Sequence, residues 1–191
     1  MRAAIEQAIK DSIAAKQQML AELVPQIEGA AGILITALKN GNKVLTCGNG
    51  GSAADAQHFA AELTCKYDQD RQALPAIALS TDTSHITATG NDYSFDEVFS
   101  RGVEALGSKG DVLVAITTSG NSPNVLKAIE AAQKKGMQVI GLTGKGGGKM
   151  AALPIHNVIV PKTNTAHTQE CHITIIHAWC LLIDAALAQK R

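Results

Sequence analysis

Two short segments and two helical faces carry the residues that could do chemistry in this chain. The first segment is Gly48-Asn49-Gly50-Gly51-Ser52. Its glycines allow close backbone approach and positive φ. The helix predicted to follow would offer unpaired amides and a partial positive charge to an anion. The plainer reading is a tight turn with Ser52 as N-cap. The segment is not the Gly-x-Gly-x-x-Gly of dinucleotide binding, because position 53 is Ala. It also lacks the Gly-Lys-Ser/Thr ending of a nucleotide P-loop. The second segment is Thr117-Thr118-Ser119-Gly120-Asn121-Ser122, with four hydroxyls in six residues ahead of another predicted helix. Hydroxyls and helix amides together can cradle a phosphomonoester without a lysine. Here the plainer reading is a polar loop capped by Ser122.

The acid–base candidates lie on helices. His58 and Glu62 are four apart and share a face, with Asp55 three before His58. An imidazole and a carboxylate at this spacing can share a proton or bind a divalent metal. They can equally be a solvated surface pair. A late helix carries Gln169, Glu170, His172 and His177, the last among Ile173, Ile175, Ile176, Ala178 and Trp179. His177 is therefore either a satisfied core histidine or a working one. Gln169 and His177 are separated by about 12 Å of rise on one regular helix. To reach one atom they need a frayed helix start or two different subunits.

The elements that must position these residues follow from periodicity. Ile5, Ile9 and Ile13, then Leu20, Leu23 and Val24, have helical spacing, which Pro25 interrupts. A second helical pattern runs from Ile27 to Leu38 and stops at Asn40-Gly41. Short apolar strands are predicted at 43–47, 75–79, 111–116, 137–142 and 156–160. Helices are predicted at 53–66, 123–135 and about 168–188, with short helical pieces at 84–89 and 95–106. Strands alternating with helices imply right-handed crossovers and a mostly parallel α/β sheet. Ligands on such sheets bind beyond the carboxyl ends of the strands, where both segments fall. The apolar last helix, through Ile173 to Leu187, suggests subunit contacts.

Composition narrows the class. The chain has 191 residues, 46% hydrophobic and 18% charged, which suits one globular domain over 1–191. Seventeen basic and seventeen acidic residues cancel, and aromatics are 3%. Neither a nucleic-acid partner nor base stacking is advertised. No run of eighteen apolar residues or signal-peptide pattern is read, so no membrane role is expected. Cys47, Cys65, Cys171 and Cys180 form no Cys-x-x-Cys and are read as reduced thiols, mostly buried, in a cytoplasmic protein.

Several motifs together resemble the sugar isomerase (SIS) domain family, and within it the sedoheptulose-7-phosphate isomerases. They are Cys-Gly-Asn-Gly-Gly-Ser at 47–52, the run from Asp55 to Thr64, Gly90-Asn91-Asp92, Thr118-Ser119-Gly120-Asn121-Ser122, Leu142-Thr143-Gly144-Lys145 and the Gln169 to His177 helix. The resemblance implies a three-layer SIS fold, a five-stranded parallel sheet flanked by helices. Additional N-terminal helices over 1–40 would serve core and subunit packing. It implies a homotetramer with active sites at subunit interfaces. The implied reaction converts sedoheptulose 7-phosphate to D-glycero-D-manno-heptose 7-phosphate through an enediol, the first step toward ADP-heptose and the lipopolysaccharide core. By the same resemblance Glu62 and His177 are the catalytic pair. Asn49, Gly50, Gly51, Ser52, Glu62, Asn91, Asp92, Thr117, Thr118, Ser119, Ser122 and Gln169 bind substrate. His58, Glu62, Gln169 and His177 hold one zinc ion per subunit.

The chain departs from the family pattern at Lys66, where Arg is common, and at Thr165-Ala166-His167-Thr168, which lacks an acidic–basic pair. Two other classes share parts of the loops: a non-catalytic SIS protein that binds a replication initiator, and a sugar-phosphate-sensing SIS module. The joint presence of Gly51, Asp55, His58, Glu62, Gln169 and His177 favours the enzyme.

Overall fold

The computed structural model describes residues 1–161 and 164–188. Its helices are α1 (Arg2–Glu22), α2 (Val24–Lys39), α3 (Gly51–Thr64), α4 (Thr83–Asp92), α5 (Val98–Leu106), α6 (Pro123–Lys134) and α7 (Thr165–Leu187). Its strands are β1 (Val44–Gly48), β2 (Ala76–Ala78), β3 (Val112–Thr117), β4 (Gln138–Thr143) and β5 (His156–Ile159). All strands are parallel, in the order β2-β1-β3-β4-β5. Five strands and the main helices lie where the periodicity places them. Helix α7 starts at Thr165, earlier than expected, because the Asn164 side chain accepts from the His167 amide and caps it. A glycine-rich 3-10 segment at Lys145–Ala152 was not foreseen; Gly146, Gly147 and Gly148 there all have positive φ.

Alternation along each strand divides the core in two. Val112, Val114 and Ile116 of β3 face α2, α3 and α7, with Phe59, Leu63, Ile175 and Trp179. Leu113 and Ala115 face α5 and α6, with Val98, Val103, Val125 and Ile129. This is the three-layer arrangement that hydrophobic strands with two covered faces require. Helices α1 and α2 meet at a 73° bend, with Pro25 in the first turn of α2, where its missing N–H costs nothing.

Helix α7 is long and apolar enough to cross a membrane by length and composition. Here it is a core helix, packed on the sheet through Cys171, Ile175, Ile176 and Trp179. Leu181 and Leu182 remain exposed, as do Ile5, Ile9 and Ile13 of α1, at 62%, 56% and 51%.

Candidate active site

The two sequence segments lie side by side at the carboxyl ends of β1 and β3. They line one cavity of about 280 Å³ that includes Gly51, Thr117, Ser119, Ser122, Thr165 and Gln169. Asn49, Gly50, Ser52 and Thr118 also line it. Gly50 has φ +55° and ψ −122°, a conformation that favours glycine, and it takes the N-cap position of α3. Ser52 is thus not the cap; it is buried in the first turn of the helix. A methyl group at Gly51 would run into the side-chain amide of Gln169, which lies directly over this turn of α3.

In the second segment, the Thr117 hydroxyl lies 2.9 Å from that of Ser122 and 3.4 Å from that of Ser119. Ser122 precedes α6, but its side chain makes no cap bond; the hydroxyl turns toward Thr117 instead. The three hydroxyls therefore converge on one side of the cavity. The 3-10 segment supports this loop from below. The Met150 amide donates to Gly120 O at 3.1 Å, and the Lys149 amide to Asn121 Oδ1 at 3.0 Å. The two segments are locked together by Asn49 and Asn124, whose amides exchange two hydrogen bonds of 2.9 Å. Asn124 is almost fully buried, and its role was not visible in sequence.

A second group of side chains stands further along α3 and α7. His58 Nε2 is 2.9 Å from Glu62 Oε1 and 3.2 Å from His177 Nε2. The potential ligand atoms of His58, Glu62 and His177 all lie within 4.8 Å of one another. Two ring nitrogens and a carboxylate oxygen at this spacing match the donor set of a three-ligand divalent metal site. The ring of Tyr67, which sequence reasoning missed, packs on His177 with centroids 5.5 Å apart. Burial pushes the Asp55 carboxyl up to about 6, and the nearby His58 charge partly offsets this.

Gln169 stands apart from this group. Helix α7 is regular from Thr165, which removes a frayed start as the way to bring Gln169 to His177. Gly51 meets Gln169 at one end of the α3–α7 contact, and Glu62 and His58 meet His177 at the other. The two helices thus run side by side in the same direction. Eleven residues of α3 separate Gly51 from Glu62, about 16 Å, and eight of α7 separate Gln169 from His177, about 12 Å. The hydroxyl cavity and the imidazole–carboxylate cluster of one chain are therefore two places.

Asn91 and Asp92 lie at the exposed end of α4, paired by a 2.7 Å hydrogen bond, and do not line the cavity. Lys66 is exposed just past the end of α3. In the 165–168 segment, Thr165 lines the cavity, and His167 Nδ1 meets Glu170 Oε2 at 3.1 Å. Ser12 of α1 donates to the same carboxylate at 2.5 Å, tying the start of α7 to α1. A larger groove of about 580 Å³ lies beside α2 at the opposite end of the sheet, but no titratable side chain lines it. Its size does not compensate for the lack of reactive groups.

Comparison with known proteins identifies the family. Residues 9–144 match the SIS domain model. A phosphoheptose isomerase of Campylobacter concisus is 56% identical over 181 residues, covering 93% of this chain and 96% of that protein. The solved phosphoheptose isomerase of Neisseria gonorrhoeae superimposes with a TM-score of 0.89 at 50% identity, covering 96% of this chain and 98% of its own. That of Francisella tularensis gives 0.92 at 42% identity, covering 96% and 97%. The chain belongs to the SIS domain family and, within it, to the phosphoheptose isomerases.

Proposed function

We propose that Glu62 and His177 carry the proton transfers by which this isomerase converts sedoheptulose 7-phosphate to D-glycero-D-manno-heptose 7-phosphate. The observation that carries this reading is the convergence of His58, Glu62 and His177 in a single chain. Aldose–ketose isomerisation moves one proton between C1 and C2 and another between their oxygens. Glu62, whose side chain is 23% exposed, is accessible and acts as the carbon base. His177, held between His58 and Tyr67, moves the proton between the oxygens. The Thr117, Ser119 and Ser122 hydroxyls with the amides of α6 hold the phosphate, and Asn49 and Gln169 contact the sugar.

His58, Glu62 and His177 fit a divalent cation and leave a fourth position open, which Gln169 of a neighbouring subunit would fill. Bound zinc would polarise the oxygens on C1 and C2. A carboxylate held tightly by the cation would be a weaker base, so Glu62 would serve as base only when loosely held.

The rises of about 16 Å from Gly51 to Glu62 along α3 and about 12 Å from Gln169 to His177 along α7 support a site shared between subunits. An extended heptose phosphate is shorter than either rise between C2 and phosphorus. The exposed Ile5, Ile9, Ile13, Leu181 and Leu182 supply apolar surface for a homotetramer. A cytoplasmic enzyme that feeds ADP-heptose synthesis suits the four free thiols.

The test is heptose phosphate formation by purified protein, before and after chelation, with metal content read by mass spectrometry. Loss of turnover with loss of zinc, restored by zinc, is expected. Full turnover by metal-free protein would remove zinc from the account.

A further inference from the structure

A buried ion pair joins Arg71, in the loop after α3, to Asp184 of α7. Arg71 and Asp184 are 1% and 2% exposed, and Arg71 Nε donates to Asp184 Oδ1 at 2.6 Å. The same guanidinium turns back onto the end of α3. Its Nη2 donates to Glu62 O at 2.8 Å and its Nη1 to Leu63 O at 3.0 Å. These are carbonyls of the last turn, which have no partner within the helix, and a cation is favoured there. The other oxygen of Asp184 accepts from the amides of Asp68 at 2.9 Å and Gln69 at 3.1 Å.

Asp184 follows His177 by seven residues, two turns of α7, so the two share a side of the helix. One pair of side chains therefore binds the peptide of Glu62 to the helix face that carries His177. The loop fixed by Asp184 also presents Tyr67 to the His177 ring. A hydrophobic pair of the same volume would stabilise the fold as well or better. It would not tie these two peptides together. Lysine would not either, because it is a point charge and cannot serve a carboxylate and two carbonyls in one plane.

We propose that Arg71 and Asp184 are positioning residues that hold Glu62 and His177 in mutual register for the isomerisation. The inference rests on the assignment of Glu62 and His177 as the acid–base pair. It predicts a loss in turnover rather than in binding, because the phosphate cradle is built on β3 and α6, which the pair does not touch.

The experiment measures kcat and KM for sedoheptulose 7-phosphate in Arg71→Lys and Asp184→Asn, below their unfolding temperatures. Val103→Ala, in the core on the far side of the sheet, serves as a control for destabilisation. Both variants should lose about tenfold or more in kcat, with KM within about twofold, as expected when reacting groups are misplaced but binding is intact. Val103→Ala should keep kcat despite a lower melting temperature. Unchanged kcat in a folded Arg71→Lys or Asp184→Asn overturns the inference, as does an equal loss in Val103→Ala. If neither clamp variant folds, Tyr67→Leu decides: a fall in kcat at constant KM supports the loop's positioning role, and no change overturns it. Glu62→Gln and His177→Gln in the same assay separate the two claims. Their full activity would sink the acid–base assignment itself. Their inactivity beside an intact Arg71→Lys would sink only the clamp.

Discussion

His172 should make this protein lose stability below neutral pH, by an amount that the structure sets. The residue lies on α7 between Gln169 and His177, with no exposed surface. Neither ring nitrogen meets a partner at good hydrogen-bonding geometry, although the Thr143 backbone lies near enough to favour the charged ring. Burial lowers the imidazole from 6.5 to about 4, and the Thr143 backbone opposes this only weakly. The unfolded chain takes up its proton near pH 6.5, and the folded chain only near 4. Between those values the unfolded state binds more protons, so stability is lost as pH falls through the window. At 1.36 kcal/mol per unit the loss is roughly 3 kcal/mol by pH 4. Asp55 works in the opposite sense. Its carboxyl is raised to about 6, so its contribution is full below the unfolded value and is lost as pH rises. The two partly cancel in the parent protein, and the effect of His172 must be read as a difference. His172→Leu removes the titration and two unpaired polar atoms while roughly keeping the volume. Urea unfolding of both proteins at pH 7, 6, 5 and 4, at one protein concentration, supplies the measurement. The variant should gain on the parent by roughly 3 kcal/mol between pH 7 and pH 4. A difference flat to within about 0.5 kcal/mol would show that His172 is solvated or paired in solution.

Three further outcomes follow from the site. Ser119→Ala with Ser122→Ala should raise KM for the phosphorylated ketose about a hundredfold or more, since each of the two lost bonds to a charged oxygen is worth about 1.5 to 3 kcal/mol. An unchanged KM in the folded double variant would move the phosphate elsewhere. Gly51→Ala should lower kcat, because its methyl group pushes aside the end of the Gln169 side chain, while stability changes by less than about 1 kcal/mol. Wild-type kinetics would contradict a working role for the Gln169 amide beside Gly51. On the proposed assignment, mixed oligomers of Glu62→Gln and His177→Gln should stay inactive, because the two side chains converge within one chain. On the proposed shared site, mixing Glu62→Gln with Ser119→Ala/Ser122→Ala should restore some sites. The opposite pattern would refute the shared site.

Much of this arrangement is legible in the chain. Continuous apolar runs such as Val112 to Ile116 mark strands with both faces covered, and the Gly-Asn-Gly-Gly and Thr-Ser-Gly-Asn-Ser turns mark where ligands meet the sheet. His58 and Glu62 come from helical spacing alone. The partners brought in by tertiary packing are not legible. His177 reaches His58 across 119 positions, Asp184 reaches Arg71 across 113, and Asn124 reaches Asn49 across 75. Nothing in the local pattern of either partner encodes those distances. The 3-10 segment under Gly120 escapes periodicity because its turns depend on positive-φ glycines rather than on side-chain spacing. The rise that separates Gln169 from His177 applies equally to Gly51 and Glu62. A close relation between the glycine loop and the acid–base helix therefore does not put Glu62 at the loop.

The central claim is that Glu62 moves the carbon proton. It is tested by running the isomerisation in deuterium oxide and following deuterium at C1 of recovered ketose and C2 of the aldose by NMR. The native protein should introduce solvent deuterium there. Glu62→Gln, folded and still binding the ketose phosphate, should introduce none. Deuterium incorporation by Glu62→Gln at the native rate would contradict the account and require another residue to be the base.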